Sequence, residues 1–211
     1  MSKVRGIIPC AGYGTRMGME DHQSKEMLID PITRDEMIQW SLDRCKENDI
    51  VPLVITRKEK VTLITYCEHR NIELLIIEPE GEWPNTILKS KDLWFDSNIL
   101  FLPDTRFSPT SKLRIMKDYL DRVGYDYAIA LHSVADMSKW CVVENDYIIE
   151  KPTVNGWGLG MGVIGWNKNT GQALFETLAT RNKGFKLTEE TMYCYLDKFV
   201  DITRTGLLET Y

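Results

Sequence analysis

Through its first half this chain alternates short apolar runs with helix-spaced segments, and that alternation restricts the fold more than any other feature. Residues 4–9 (VRGIIP), 51–56 (VPLVIT) and 74–77 (LLII) read as buried strands. Between them, residues 36–46 place Ile38, Leu42 and Cys45 on one helical face, and residues 59–69 do the same with Val61, Ile64 and Cys67. The order β, α, β, α, β calls for right-handed crossovers and a mainly parallel sheet covered on both faces.

A loop rich in Pro and Gly follows at 79–84 (PEGEWP), with Asn85 as the expected cap of a helix over 86–94. Residues 99–102 form the next expected strand, ending in Pro103-Asp104-Thr105. Leu113, Met116, Leu120 and Val123 predict a helix over 112–122, closed by Gly124. A strand at 127–131 comes next. The pattern then changes: 140–144 and 147–151 flank Asn145-Asp146, residues that tolerate the left-handed conformations of a tight hairpin. The glycine-rich stretch 156–165 (GWGLGMGVIG) suggests close approach of a ligand or another backbone. Helices near 171–180 and 188–196 and a strand at 199–202 complete the reading. The expected fold class is α/β, a Rossmann-like three-layer α/β/α sandwich with a mixed sheet, the antiparallel part beginning after about Val134. The absence of repeats or a linker-like stretch predicts a single domain over residues 1–211.

With 211 residues, 43% of them hydrophobic and 27% charged, the chain can bury one sizeable core and is not disordered. Its net charge of −5 and the lack of a long basic block argue against nucleic acid and acidic membrane surfaces as partners. An anionic ligand must therefore meet local cations or a metal. The five cysteines, Cys10, Cys45, Cys67, Cys141 and Cys194, include no C-x-x-C pair, which points away from zinc modules and disulfide frameworks. Reduced thiols, no signal-type leader and no membrane-length apolar run predict a cytoplasmic protein.

The segment 4–28 (VRGIIPCAGYGTRMGMEDHQSKEML) reads as a buried strand handing the chain to an anion-binding loop, with Arg16 and Lys25 placed to hold phosphates. A Rossmann dinucleotide motif does not fit, because the third position of G-x-G-x-x-G falls on Met17 and the second strand runs into Arg57 and Lys58 instead of a ribose-binding acid. No Walker G-K-[ST] occurs either.

GYGTRMG, followed by Lys25-Glu26-Met27-Leu28 and a helix entered at Met37-Ile38, resembles the signature of the sugar-1-phosphate nucleotidylyltransferases. The likeness runs on through Leu102-Pro103-Asp104, Glu150-Lys151-Pro152 and Val200-Asp201-Ile202-Thr203 with Leu207-Leu208, in the family's order and over almost the whole chain. The resemblance implies a glycosyltransferase-A-like fold of the nucleotide-diphospho-sugar transferase type. It also implies transfer of a nucleoside monophosphate from a nucleoside triphosphate to a sugar 1-phosphate, with release of pyrophosphate. Attack by one phosphate on another forces negative charges together, so such catalysis is mostly positioning and charge neutralisation.

By this resemblance Arg16 would hold the β- and γ-phosphates and Lys25 the α-phosphate and pyrophosphate bridge, the two catalytic cations. Ala11, Gly12, Gly14 and Thr15 of the loop, with Trp83 and Thr86 at the start of a helix, would bind the nucleotide. Glu150 would accept hydrogen bonds from sugar hydroxyls and Lys151 would meet the acceptor phosphate. Asp104 and Asp201 would share Mg²⁺ with the triphosphate, hard oxygen ligands suiting that ion. The chain departs from the family at Ser24, which replaces a proline, at the Trp-Pro-Asn-Thr stretch, at Cys141, at Gly160 to Gly162, and at D-I-T-R after Val200. It also ends too soon after the late aspartate for the C-terminal extensions some relatives carry. A cytidylyltransferase acting on phosphocholine or a related small phosphate is the alternative enzyme, and a nucleotide sensor with weakened turnover is the alternative of another class. Self-association into a homo-oligomer is left open.

His22, His69 and His132 lack metal-ligand spacing and read as structural or surface residues. Cys10 reads as a small buried residue. Of the tryptophans, Trp83 and Trp157 are expected to line a pocket and the rest to pack the core.

Overall fold

The computed structural model describes residues 3–14, 17–20, 22–180 and 183–202. Its first half follows β1 (Val4–Pro9), α1 (Met37–Glu47), β2 (Ile50–Thr56), α2 (Val61–His69), β3 (Glu73–Ile76), α3 (Trp83–Leu88) and β4 (Ser97–Leu100). β1 pairs in parallel with β2 on one side and β4 on the other, and β2 with β3. β5 (Thr105–Ser108), α4 (Lys112–Asp118), β6 (Tyr127–Val134), β7 (Cys141–Glu144) and β8 (Tyr147–Glu150) follow. The chain then runs through β9 (Gly158–Asn167), α5 (Lys168–Leu178), β10 (Gly184–Lys186), β11 (Thr191–Tyr195) and β12 (Lys198–Asp201). The main sheet has ten strands, with the path β10-β8-β7-β9-β4-β1-β2-β3 and with β6 joining β9 to β11. It is mixed, parallel in the first half and antiparallel around β9.

Strand side chains alternate between two cores, which is why the strand sequences read as continuous apolar runs. Val4 and Ile8 of β1 and Ile50 and Val54 of β2 pack with Ile38, Leu42, Leu63, Leu113 and Met116 of α1, α2 and α4. Ile7 of β1 and Leu53 and Ile55 of β2 face the other way, toward Ile87 of α3 and Leu174, Phe175 and Leu178 of α5. Helices thus cover both faces, giving the α/β/α layering that the alternation predicts. No helix among the described residues is long and apolar enough to cross a membrane.

Several local expectations change. The segment expected as a helix over 188–196 contains β11, which pairs in parallel with β6 from Thr191↔Tyr127 to Tyr195↔Leu131. The run Met192-Tyr-Cys-Tyr completes a ladder there, and non-local pairing decides its state. α3 starts at Trp83, earlier than expected, with Glu82 at its N-cap position and Pro84 in its first turn, so Asn85, the expected cap, lies inside the helix, which ends at Leu88. The helix expected over 112–122 is α-helical only to Asp118 and then widens into a π turn over Tyr119–Val123, closed by Gly124 at φ 82°. The hairpin at Asn145-Asp146 forms, with φ of 49° and 63°.

The glycines of β9 admit neighbouring side chains. A Cβ on Gly160 would stand 2.6 Å from Val134 Cγ1 and 2.9 Å from His132 Nε2. One on Gly162 would stand 2.8 Å from Leu196 Cδ1 and 3.0 Å from Phe199 Cδ2, and one on Gly158 would lie 2.2 Å from Met137 Sδ.

Candidate functional site

The strand order 4-1-2-3 reverses direction between β1 and β4, and the crevice outside the carboxyl ends of the strands at such a switch is where open α/β sheets place ligands. A cleft of about 470 Å³ lies there. Ala11, Gly12 and Gly14 enter it from the loop after β1, Trp83 and Thr86 from α3, and Asp104 from the turn after β4. Lys25, Glu150, Lys151 and Asp201 line the same cleft. The two remaining candidates, Thr15 and Arg16, lie outside the described residues.

The glycine loop leaves the ladder once Cys10 N–H has donated to Ile55 O at 2.7 Å. Gly14 has φ of +68°, a conformation that costs a side-chain-bearing residue about 1 kcal/mol, and Gly12 faces open space. Beneath the loop lies a buried ion pair. Lys60, 1% exposed, donates from Nζ to Cys10 O at 2.6 Å and to Glu26 Oε2 at 2.8 Å, and Ser24 Oγ donates to the same carboxylate oxygen at 2.7 Å. One ammonium thereby ties the start of the loop to the residue beside Lys25. Arg57, also buried, lies with its guanidinium 4.3 Å from the centroid of the Tyr13 ring.

Lys25 Nζ stands 2.5 Å from Asp104 Oδ2. Burial alone would lower its pKa, but Asp104, Glu26 and Asp201 outweigh burial and raise it, so Lys25 remains an ammonium at neutral pH. Asp201 reaches the cleft because β12 pairs antiparallel with β5 in a separate two-stranded sheet that sets Asp201 opposite Thr105, next in sequence to Asp104. Among the described residues, no group of three or more His, Cys, Asp or Glu side chains is arranged to hold a metal.

On the other wall, Glu150 ends β8 and is 2% exposed, and its Oε1 lies 3.2 Å from Lys151 Nζ. Lys151 Nζ also lies 3.8 Å from Glu82 Oε2, so this lysine bridges to the cap of α3 across the cleft. Lys151 has φ of 45°, a strained backbone for a residue with a side chain, of the kind that clusters at functional sites. Cys141 lies opposite Glu150 in the ladder, and burial and that carboxylate push its thiol well up. Burial and Glu26 do the same to Cys10, which keeps it a buried thiol at neutral pH.

Sequence reading did not single out Lys60, Arg106, Lys139, Trp140 or Phe199. Trp140, Phe199, Met161 and Lys139 line the cleft, whereas Trp157, expected in a pocket, is 78% exposed and stands apart from it. Behind the aromatic wall, His132 stacks on Phe199 with centroids 4.0 Å apart and meets Trp140 edge-on. No spacing signal marks either buried cation, because Lys60 precedes α2 and Arg106 lies in the four-residue strand β5.

Burial lowers the pKa of His132 from 6.5 to about 4. Between those values the unfolded chain binds a proton that the folded chain does not, so stability is lost as pH falls through this window. His132→Phe, which keeps the stack on Phe199, should flatten the fall in melting temperature between pH 6.5 and 4. An unchanged slope would show that His132 does not govern the acid limb.

No protein-family model and no curated protein matches the chain. Solved structures do. A protein assigned as a glucose-1-phosphate thymidylyltransferase from Bacillus anthracis, solved with sucrose, superposes over 98% of this chain and 93% of its own, with a TM-score of 0.74 and 19% identity. A UDP-glucose pyrophosphorylase complexed with UDP-glucose covers 98% of this chain and 95% of its own, at a TM-score of 0.73 and 20% identity. A CMP:2-keto-3-deoxy-manno-octonic acid synthetase with CTP covers 99% and 96%, at 0.65 and 13%. The chain has the sugar-nucleotidyltransferase-like fold, and at these identities the likeness is one of fold.

Proposed function

We propose that this chain transfers a nucleoside monophosphate from a nucleoside triphosphate to a sugar 1-phosphate, releasing pyrophosphate. The observation that carries the reading is the convergence in one cleft of Gly12, Lys25, Asp104, Lys151 and Asp201, residues distant in sequence whose chemistry suits two phosphates brought together. An oxygen of the acceptor phosphate attacks the α-phosphorus, a new P–O bond forms, and the bond from the α-phosphorus to the bridging oxygen breaks to free pyrophosphate. The backbone of the glycine loop wraps the triphosphate, and Arg16 takes its β- and γ-phosphates. Lys25 neutralises charge at the α-phosphate and the bridge. Lys151 turns from Glu82 and Glu150 to the acceptor phosphate, leaving Glu150 to receive sugar hydroxyls.

The carboxylate pair fits a magnesium ion that arrives with the triphosphate. The Lys25 ammonium already sits 2.5 Å from Asp104 Oδ2, so this corner of the cleft is built to face positive charge, and its oxygens are hard donors. Asp104 and Asp201 would hold the ion, which would supply further neutralisation of the phosphates.

A second acceptor class is favoured by one observation. Trp140 and Phe199 share the cleft with Glu150, and aromatic faces beside a carboxylate suit a cationic head group such as that of phosphocholine. Pyrophosphate release measured for each nucleoside triphosphate against a panel of sugar 1-phosphates and phosphocholine separates the readings. Release with a sugar 1-phosphate supports transfer to sugars, and release with phosphocholine alone selects the cytidylyltransferase reading. Triphosphate binding with no release for any pair would leave a nucleotide sensor. Lys151→Ala should raise the acceptor KM about tenfold or more while leaving the triphosphate KM unchanged. Equal rises in both would overturn this division of labour.

A further inference from the structure

Arg106 occupies an unusual place for a strand arginine. It is 7% exposed, and its Nη1 donates to Pro103 O at 2.9 Å and to Thr105 O at 2.7 Å, a carbonyl pair that brackets Asp104. Its Nε donates to Asp30 Oδ2 at 2.7 Å, and its Nη2 lies 2.5 Å from the same oxygen and donates to Met37 O at 3.0 Å. Asp30 is fully buried, and its Oδ1 accepts from Ile32 N–H at 2.7 Å and Thr33 N–H at 3.4 Å. Asp30 follows the short 3-10 turn Lys25–Met27, and Met37 opens α1. A single guanidinium thus joins the turn that carries Asp104 to the segment that carries Lys25.

We infer that the buried Arg106–Asp30 pair is a positioning strut that fixes Asp104 against Lys25 and so sets how well the cleft takes a metal-loaded triphosphate. The inference rests on the roles proposed above for Asp104 and Lys25. Only a planar fork holds two flanking carbonyls and a carboxylate at once, and a lysine at this position reaches fewer of them. Neither Arg106 nor Asp30 lines the cleft, so both act through the residues they hold. Groups of this kind behind a metal ligand change metal affinity by about ten- to a hundredfold when lost.

The test is calorimetric titration of the wild type with each of the four nucleoside triphosphates, with and without Mg²⁺, the tightest binder serving as probe for the variants. Arg106→Lys and Asp30→Asn should keep the metal-free affinity but lower the metal-loaded affinity about tenfold or more. A folded variant that keeps the full gain from Mg²⁺, or that loses both affinities equally, overturns the strut. If the wild type itself gains nothing from Mg²⁺, the reading of Asp104 fails and the strut falls with it, an outcome visible before any variant is made. Should both single variants fail to fold, the pair Asp30→Leu with Arg106→Met leaves no buried charge. It should fold and still lack the gain, and a wild-type gain in that double variant would equally overturn the strut.

Discussion

For the proposed transfer reaction, Lys25→Ala is expected to lower pyrophosphate release by about a thousandfold, with the protein still folded. In that reaction Lys25 is a preorganised cation aimed at the charge that develops at the α-phosphate and the bridge, and its loss removes transition-state stabilisation that a mobile water replaces poorly. The stability cost stays small, because Lys25 and Asp104 are 21% and 15% exposed at their side chains and the carboxylate left behind can hydrate. Asp104→Asn should bring a similar collapse from the other side of the pair. A coupled pyrophosphate assay alongside circular dichroism decides the matter, and near-normal turnover in either folded variant would show that the site is misassigned.

Lys60→Met acts on the fold instead. Both side chains of the Lys60–Glu26 pair are 1% exposed, and removing the ammonium strands a carboxylate whose Oε1 already lacks a partner. Breaking such a buried pair costs about 3–5 kcal/mol, which for a chain of this length lowers the melting temperature by about 10 °C. The double variant Lys60→Met with Glu26→Gln should recover part of that loss, because no bare charge stays buried. A drop of the same size in the single and double variants would mean that packing, and not charge, sets the effect.

Much of this was legible in the sequence because periodicity is a local property. The strands β1 and β2 and the helix α1 emerge where apolar spacing alone puts them, whereas α2 forms but buries Leu63, Tyr66 and Cys67 and leaves Val61, expected inward, exposed, and β3 forms as a half-exposed edge strand. β11 does not emerge from spacing, because its state is decided by its partner β6, far away in sequence. β5 was invisible for a related reason: Thr105–Ser108 is too short to carry a period, and only its pairing with β12 makes it a strand. That small sheet brings Asp201 opposite Thr105, a neighbourhood that no spacing rule predicts. Residues touching the cleft from linear motifs, such as Lys25 and Lys151, were readable. Those that hold the motifs in place, such as Lys60 and Arg106, were not, since a buried cation is defined by partners contributed from elsewhere.

The glycines on alternate positions of β9 bear on how this protein tolerates change over generations. Gly162 leaves the space that Leu196 and Phe199 occupy, and Gly160 the space of Val134 and His132, so a methyl group at either place must push against the strand that ends in Asp201 or the ring stacked on it. A map of accepted substitutions would show a depleted band at the alternate glycines of β9, positions that do not line the cleft. Selection there would act on the room left for neighbours.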